Sequence, residues 1–315
     1  MKSALLFLVF NRAKTTEEVF EEIRKARPSR LYVAADGPRP AVSGEEDKCQ
    51  RVREIASSVD WPCKLETLFH NDNLGPRHAQ ESAFTWFFER EEEGVILEDD
   101  CLPDQSFFAF CDELLDRYRN EEKIFMISGN NFQNGIVRGD RDYYFSCYTH
   151  IWGWATWRRS WQKYDNKISA WPQMKKDRVL ESLHSDNAVN YWRLLFDNIY
   201  SGRFDRGWDY RFLFSCWLNS ALVVIPNVNL VRNIGFGDGA TNCTDIDSKF
   251  SNVSVSSILI PIKHNDVLTR SVAADEKTST EMFFHRNYFY RIHYYLFRPI
   301  ILVKKIGFKV LRFLK

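Results

Sequence analysis

Residues 95–100 read VILEDD, three aliphatic side chains running straight into Glu98, Asp99 and Asp100. The apolar triplet predicts a buried strand, and the three acids predict that this strand ends where a cation must sit. In open α/β sheets, ligands collect just beyond the carboxyl ends of the strands. A carboxylate cluster at such an end reads either as a solvated acidic turn or as a divalent-metal site holding a phosphorylated ligand. If the pleat persists, Glu98 and Asp100 project to one side and Asp99 to the other.

Outward from that stretch the amino-terminal half alternates strand and helix. Leu5 to Phe10 is a continuous apolar run that predicts a first buried strand. Thr15 with Glu18 has the spacing of a capping box, and Val19, Ile23 and Ala26 recur on one helical face behind it. Leu31 to Ala34 predicts a second strand that ends in the turn Asp36-Gly37-Pro38. Val52, Ile55, Ala56 and Val59 mark another helix, Leu65 to Phe69 a third strand, and Ala79, Ala83 and Phe87 a further helix before VILEDD. A helix over 107–118 and a strand over 124–127 follow. This βαβα rhythm predicts a mostly parallel sheet between helices. Right-handed crossovers then bring Asn11-Arg12, Asp36-Gly37 and Glu98–Asp100 to one edge. From about residue 140 the rhythm is lost. HIWGWATWRRSW (150–161) packs four Trp into twelve residues, and GWDYRFLFSCWLN (207–219) reads as a helix with a polar start, followed by the strand ALVVIP.

With 315 residues the chain can bury a sizeable core. Its net charge of +1 argues against a nucleic-acid-binding surface. Seven cysteines form no C-x-x-C pair and no zinc spacing, which fits a reducing compartment. The apolar start Ala4 to Phe10 is followed by Asn11-Arg12 rather than by small residues, so it reads as a strand and not a signal peptide. After Glu281 the charge turns one-signed: Arg286, Arg291, Arg298, Lys304, Lys305, Lys309, Arg312 and Lys315 follow with no acid. Interleaved with Ile, Leu and Phe, they predict a helix on an anionic membrane surface. The expected location is therefore cytoplasmic, on the inner face of the membrane.

The chemistry suggested by the carboxylates is that of a nucleoside diphosphate, whose charge a metal spreads as it departs. Magnesium or manganese takes one or two protein carboxylates and completes its shell with phosphate oxygens and water. Asp36, after its own strand, is placed to read a nucleobase edge, and Arg12 and Arg77 to counter phosphate charge. The motif order FNR (10–12), AADG (34–37), HNDNLGPRHA (70–79), VILEDD with CLPDQSFFAF (95–110), ISGNN (127–131), Trp152-Gly153-Trp154 and WDYRF (208–212) resembles that of GT-A-fold glycosyltransferases. Within that group it is closest to the N-acetylglucosaminyltransferase that begins complex N-glycans and to bacterial surface-polysaccharide sugar transferases. The resemblance spans roughly residues 3–245.

The resemblance implies a GT-A α/β fold with a nucleotide-sugar-binding half (1–135) and an acceptor-side half of the same domain (136–262). Residues 263–315 lie outside it as a C-terminal extension. It implies Asp100 as the direct ligand of a Mn or Mg ion, and Glu98 and Asp99 on ribose and donor sugar. Arg12 and Asp36 would line the nucleoside pocket, with Asn11 and Arg77 as further donor-binding candidates, and the Trp cluster reads either as a packed aromatic core or as Trp152 or Trp154 stacking on the acceptor side. Asp209 falls at the general base of an inverting transfer, and UDP-GlcNAc is the implied donor. The acceptor would be a saccharide or lipid-linked saccharide of surface polysaccharide synthesis. One departure is the absence of a late His in GFGDGATNC, which leaves Asp238 as a replacement ligand or Asp100 alone. Two other readings stand beside this one. A sugar nucleotidyltransferase needs a Gly-rich basic loop after the first strand, and FNRAKTTEE has no Gly. A non-catalytic carbohydrate-binding module would keep the Trp-rich cleft without needing Glu98–Asp100, Asp36 and Asp209 together.

Overall fold

The computed structural model describes residues 1–205, 207–236 and 253–284. Among the described residues there are ten strands: β1 (Ala4–Val9), β2 (Arg30–Ala35), β3 (Lys64–Phe69), β4 (Glu93–Glu98), β5 (Cys101–Pro103), β6 (Ile124–Ser128), β7 (Tyr143–Ser146), β8 (Trp154–Trp157), β9 (Leu222–Pro226) and β10 (Val231–Asn233). The helices are α1 (Ala13–Ala26), α2 (Glu45–Ser57), α3 (Gly75–Arg90), α4 (Gln105–Arg117), α5 (Arg158–Trp161), α6 (Trp171–Lys176), α7 (Val179–Leu183), α8 (Asp186–Tyr200), α9 (Asp209–Leu218) and α10 (Val272–Thr278).

Eight strands share one sheet in the order β3-β2-β1-β4-β8-β6-β9-β7. β1 to β4 are parallel, β6 and β9 are parallel, and β8 and β7 run antiparallel to their neighbours. The remaining pair, β10 and β5, forms a small antiparallel ribbon. The unbroken apolar run of β1 is explained by two covered faces. Leu5, Phe7 and Val9 pack in one core cluster with residues of α1, α2 and α4. Ala4, Leu6 and Leu8 pack in another with Phe84 and Phe87 of α3 and Phe212 of α9. A third cluster, rich in Trp and Tyr, joins Tyr148, Trp171, Trp192, Phe214 and Trp217 beside the sheet.

Three features depart from the sequence reading. The Thr15–Glu18 capping box does not form: α1 already starts at Ala13, and the Thr15 and Thr16 hydroxyls donate back to the Arg12 carbonyl instead. Trp152-Gly153-Trp154 leads into β8, which inserts antiparallel between β4 and β6, so the second half of the chain supplies a strand to the middle of the first half's sheet. The start of the C-terminal extension belongs to the folded body, because buried Asp275 accepts a hydrogen bond from Ser146 Oγ at 2.6 Å and Ser271 N donates to the Phe145 carbonyl.

Trp154 is 1% exposed, stacked on Trp208 at 5.1 Å between centroids and edge-on to Phe84. The expectation that it stacks on an acceptor sugar is therefore corrected: β8 turns its ring inward, among Trp208, Phe84 and Phe212. Trp154→Ala is expected to cost about 3–5 kcal/mol of stability by cavity formation, read by urea denaturation. A residue exposed for sugar stacking would cost far less. Among the described residues no helix is long and apolar enough to cross a membrane.

Candidate functional site

The strand order makes a switch point. The chain proceeds from β1 to β2 and β3 on one side, then returns to place β4 on the other side of β1. Crossovers leave in opposite directions there, opening a crevice at the carboxyl ends of β1 and β4. β1 delivers Phe10, Asn11 and Arg12 to that crevice, and β4 delivers Glu98, Asp99 and Asp100, with Leu8 opposite Glu98 in the ladder.

β4 ends at Glu98, and Asp99 and Asp100 form a turn, so the pleat does not persist through the acids. One guanidinium consequently reaches two of them. Arg12 Nη2 donates to Asp99 Oδ1 at 2.5 Å and to Asp100 Oδ2 at 2.9 Å. Asp99 is 3% exposed and its second oxygen accepts from Phe10 N, which makes it an internal anchor between the two strand ends. Gln80 Nε2, from α3, donates to Glu98 Oε2 at 3.0 Å. Burial, then the charges of Asp100 and Asp99, push the Glu98 carboxyl well above the usual carboxylate range. Burial raises Asp99 as well, with Arg12 opposing it. This excess of negative potential favours an added cation.

The β10 segment closes over these groups. Ile234 N donates to the Asp100 carbonyl at 2.8 Å, and Gly235 N to Asn233 Oδ1 at 2.8 Å. A side chain at Gly235 would collide with the Asp100 carboxylate and the Arg12 guanidinium, so only glycine lets the backbone approach this closely.

Asp209 is the first residue of α9. Burial raises its pKa, partly offset by hydrogen bonds from its own and the Tyr210 backbone N–H groups. Its charge in turn raises Glu98, which puts both carboxylates in one electrostatic environment. Trp152 is partly buried, its ring edge-on to Phe132 at 5.0 Å and to Phe236 at 5.9 Å.

The other expected donor-pocket residues are engaged by the chain. Asp36 accepts from the backbone N–H groups of Gly37, Leu74 and Gly75 and from Asn73 Nδ2, at 2.8–3.0 Å, clamping the end of β2 to the loop before α3. Asp36→Ala should therefore lower stability by more than about 1 kcal/mol through several orphaned donors, as a thermal shift would register. Asn11 Nδ2 donates to Glu45, whose carboxyl the Arg39 guanidinium holds down at about 2. Arg77 pairs with Asp205 at 3.3 Å and Glu81 at 3.8 Å rather than with Glu98–Asp100.

Among the described residues no group of three or more His, Cys, Asp or Glu is arranged to enclose a metal ion. Among the described residues Asp100 Oδ1 accepts from the Cys101 thiol, at 3.5 Å. One carboxylate with a largely free oxygen fits a hydrated divalent ion carried in by a diphosphate, which asks the protein for one or two carboxylates. Asp238, the Gly-rich loop beyond Phe236 and the basic tail from residue 285 lie outside the described residues. Sequence reasoning missed Gln80, which carries no motif signal and matters only through the partner that the fold brings to it, and it read Gly235 only as part of a Gly-rich loop, without its close approach to Asp100 and Arg12.

No protein-family model and no curated protein matches this chain. Solved structures that it resembles include S. aureus TarS 1-349, at 12% identity and a TM-score of 0.40, covering 72% of this chain and 59% of that one. A cytidylyltransferase from Leptospira borgpetersenii is similar at 14% identity and a TM-score of 0.32, over 52% and 64% of the two chains. UTP-bound UGPase from Acinetobacter baumannii is similar at 11% identity and 0.31, over 53% and 78%. This chain thus spans 59% of the TarS chain, and the functional reading rests on its own residues.

Proposed function

We propose that this chain is an inverting, metal-dependent glycosyltransferase. It transfers a sugar from a nucleotide-diphospho-sugar, UDP-GlcNAc first among candidates, to a saccharide or lipid-linked saccharide acceptor of surface polysaccharide. The observation that carries the reading is the meeting of Arg12, Glu98, Asp99 and Asp100 at the β1/β4 switch point, with the partly buried Asp209 carboxylate close enough to raise Glu98.

In this reading Asp99 fixes Arg12 at the crevice, and Arg12 turns its charge toward the leaving diphosphate. Asp100 would hold a Mn or Mg ion, which when bound supplies further charge neutralisation to the leaving group. Asp209 accepts the proton of the acceptor hydroxyl as that oxygen attacks the anomeric carbon. A carboxylate whose pKa is raised by burial is a stronger base than an ordinary Asp. Glu98, oriented by Gln80, faces the sugar. The basic residues from Arg286 to Lys315 would bring the enzyme to the anionic membrane face where a lipid-linked acceptor is presented.

Calorimetric titration with UDP, GDP and dTDP, with and without manganese, tests the donor site. One nucleotide binding tightly and only with manganese is the expected result. Binding of none under either condition would sink the transferase reading.

A further inference from the structure

The first turns of α3 and α9 bring two guanidinium groups to one point. Arg77 Nη2 and Arg211 Nη2 each lie 3.3 Å from the same atom, Asp205 Oδ1, so they stand no more than twice that distance apart. The two arginine side chains are only 13% and 3% exposed, whereas the Asp205 side chain that they share is 69% exposed. Both cations are held from behind. Arg211 donates through Nε to the Asn166 carbonyl and through Nη1 to the Gly207 carbonyl, each at 2.8 Å. Arg77 Nη1 lies 3.8 Å from Glu81 Oε1, which also accepts from Tyr164 Oη, and Arg77 Nη2 donates to the exposed His78 ring at 2.7 Å. Burial, then the charge of Arg77, lowers the Arg211 pKa, the mark of two like charges side by side where little water reaches. An ion pair with an exposed acid is worth little. Two fixed guanidinium groups with one exchangeable oxygen between them match an oxyanion, which arginine recognises through its planar donors.

Contacts place this pair beside the groups already described. A Cβ added at Gly207 would stand 2.4 Å from Asp209 Oδ1, and it is the Gly207 carbonyl that anchors Arg211. The Arg211 charge accordingly acts on the Asp209 carboxyl, opposing the rise that burial causes. On α3, Arg77 precedes Gln80 by three residues, so the two are neighbours on one helical face, and Gln80 donates to Glu98 Oε2 at 3.0 Å. The arginine pair thus adjoins Asp209 and is carried in part by the helix that reaches Glu98, whereas Arg12 meets Asp99 and Asp100.

We infer that Arg77 and Arg211 seat one anionic group of the acceptor, a phosphate or a carboxylate, which displaces the Asp205 carboxylate into solvent. One negative charge then replaces another between the two cations. Anchored there, an acceptor can present a hydroxyl of the same molecule to Asp209, the proposed base. Calling the ligand an acceptor rests on the transferase reading, but the seat itself does not, and its test does not depend on nucleotide binding.

Saturation-transfer NMR titrations would use N-acetylglucosamine 6-phosphate and glucuronate, with neutral N-acetylglucosamine and glucose as controls, on the wild type, Arg77→Gln and Asp205→Asn. The anions should bind the wild type more tightly than their neutral counterparts, and the tighter of the two names the group. Arg77→Gln should weaken the anions at least about tenfold, the worth of a hydrogen bond to a charged group, and leave the neutral sugars unchanged. Asp205→Asn should tighten the anions about two- to fivefold by removing the competing charge. This second variant alters an exposed side chain and carries the test even where Arg77→Gln does not fold, because a purely structural acid would give no gain. Anions bound no better than neutral sugars, or bound equally by the three proteins, would overturn the seat. UDP is titrated calorimetrically with manganese in parallel. UDP affinity lost together with the anions in Arg77→Gln would give the pair to the donor diphosphate and overturn the acceptor assignment. Normal UDP binding with no anion preference would overturn the seat and leave the transferase reading standing, whereas anion binding without UDP binding would keep the seat and sink that reading.

Discussion

Asp209→Asn is expected to lower kcat by about 10²- to 10⁴-fold, the usual worth of a positioned general base, while nucleotide affinity stays within about twofold. The substitution keeps the size of the side chain and one oxygen to accept from the backbone N–H groups at the start of α9. A residue that only started α9 would therefore show no kinetic effect. The pH dependence supplies a second readout. Because burial raises the Asp209 pKa, the acid limb of kcat/KM should lie above the ordinary Asp value of about 3.9, and activity should fall as pH drops through the raised value. The stability sign is the opposite. A carboxyl whose folded pKa exceeds its unfolded one contributes stability below the unfolded pKa and loses it as pH rises through the folded value. The Asp209→Asn variant should therefore be as stable as the wild type at pH 4 and more stable at pH 8, as urea denaturation at the two pH values would report. A variant less stable at both would assign Asp209 to structure.

Asp100→Ala is expected to abolish the manganese requirement together with tight nucleotide binding. Loss of an outer-shell partner alone typically costs about 10- to 100-fold in metal affinity, and in the proposed reading Asp100 is the direct ligand. The fold should survive, because Asp99 retains its bonds to Arg12 and Phe10 N. The corresponding Asp99 substitution is predicted to differ in kind: its carboxylate is 3% exposed and ties the ends of β1 and β4 together, so Asp99→Ala should unfold at a clearly lower urea concentration. Nucleotide binding that persists in Asp100→Ala with no manganese dependence would move diphosphate neutralisation wholly to Arg12.

The first half of the fold was legible because each element there solves a local problem. The uninterrupted apolar run of β1 and the 3.6-residue periodicity of α1 and α2 announce a sheet covered on both faces, and the acids after β4 announce its ligand-facing end. The motif order pointed to Arg12, Glu98–Asp100 and Asp209. What the residues do to one another was not legible. Asp36 and Arg77 carry charges that a linear reading assigns to a ligand, yet the fold spends them on the α3 loop and on Asp205 and Glu81. Trp152 and Trp154 sit two residues apart in an aromatic run, and composition cannot say which faces the crevice. That choice is made by the pairing of β8 between β4 and β6, long-range contacts that turn Trp154 into the core and leave Trp152 at the edge. The sequence by itself therefore determined the parallel α/β layering and the place of the acidic crevice, because periodicity and strand ends are local. Only the tertiary structure decided which charged and aromatic side chains remain for a ligand, because that depends on partners brought together across the chain.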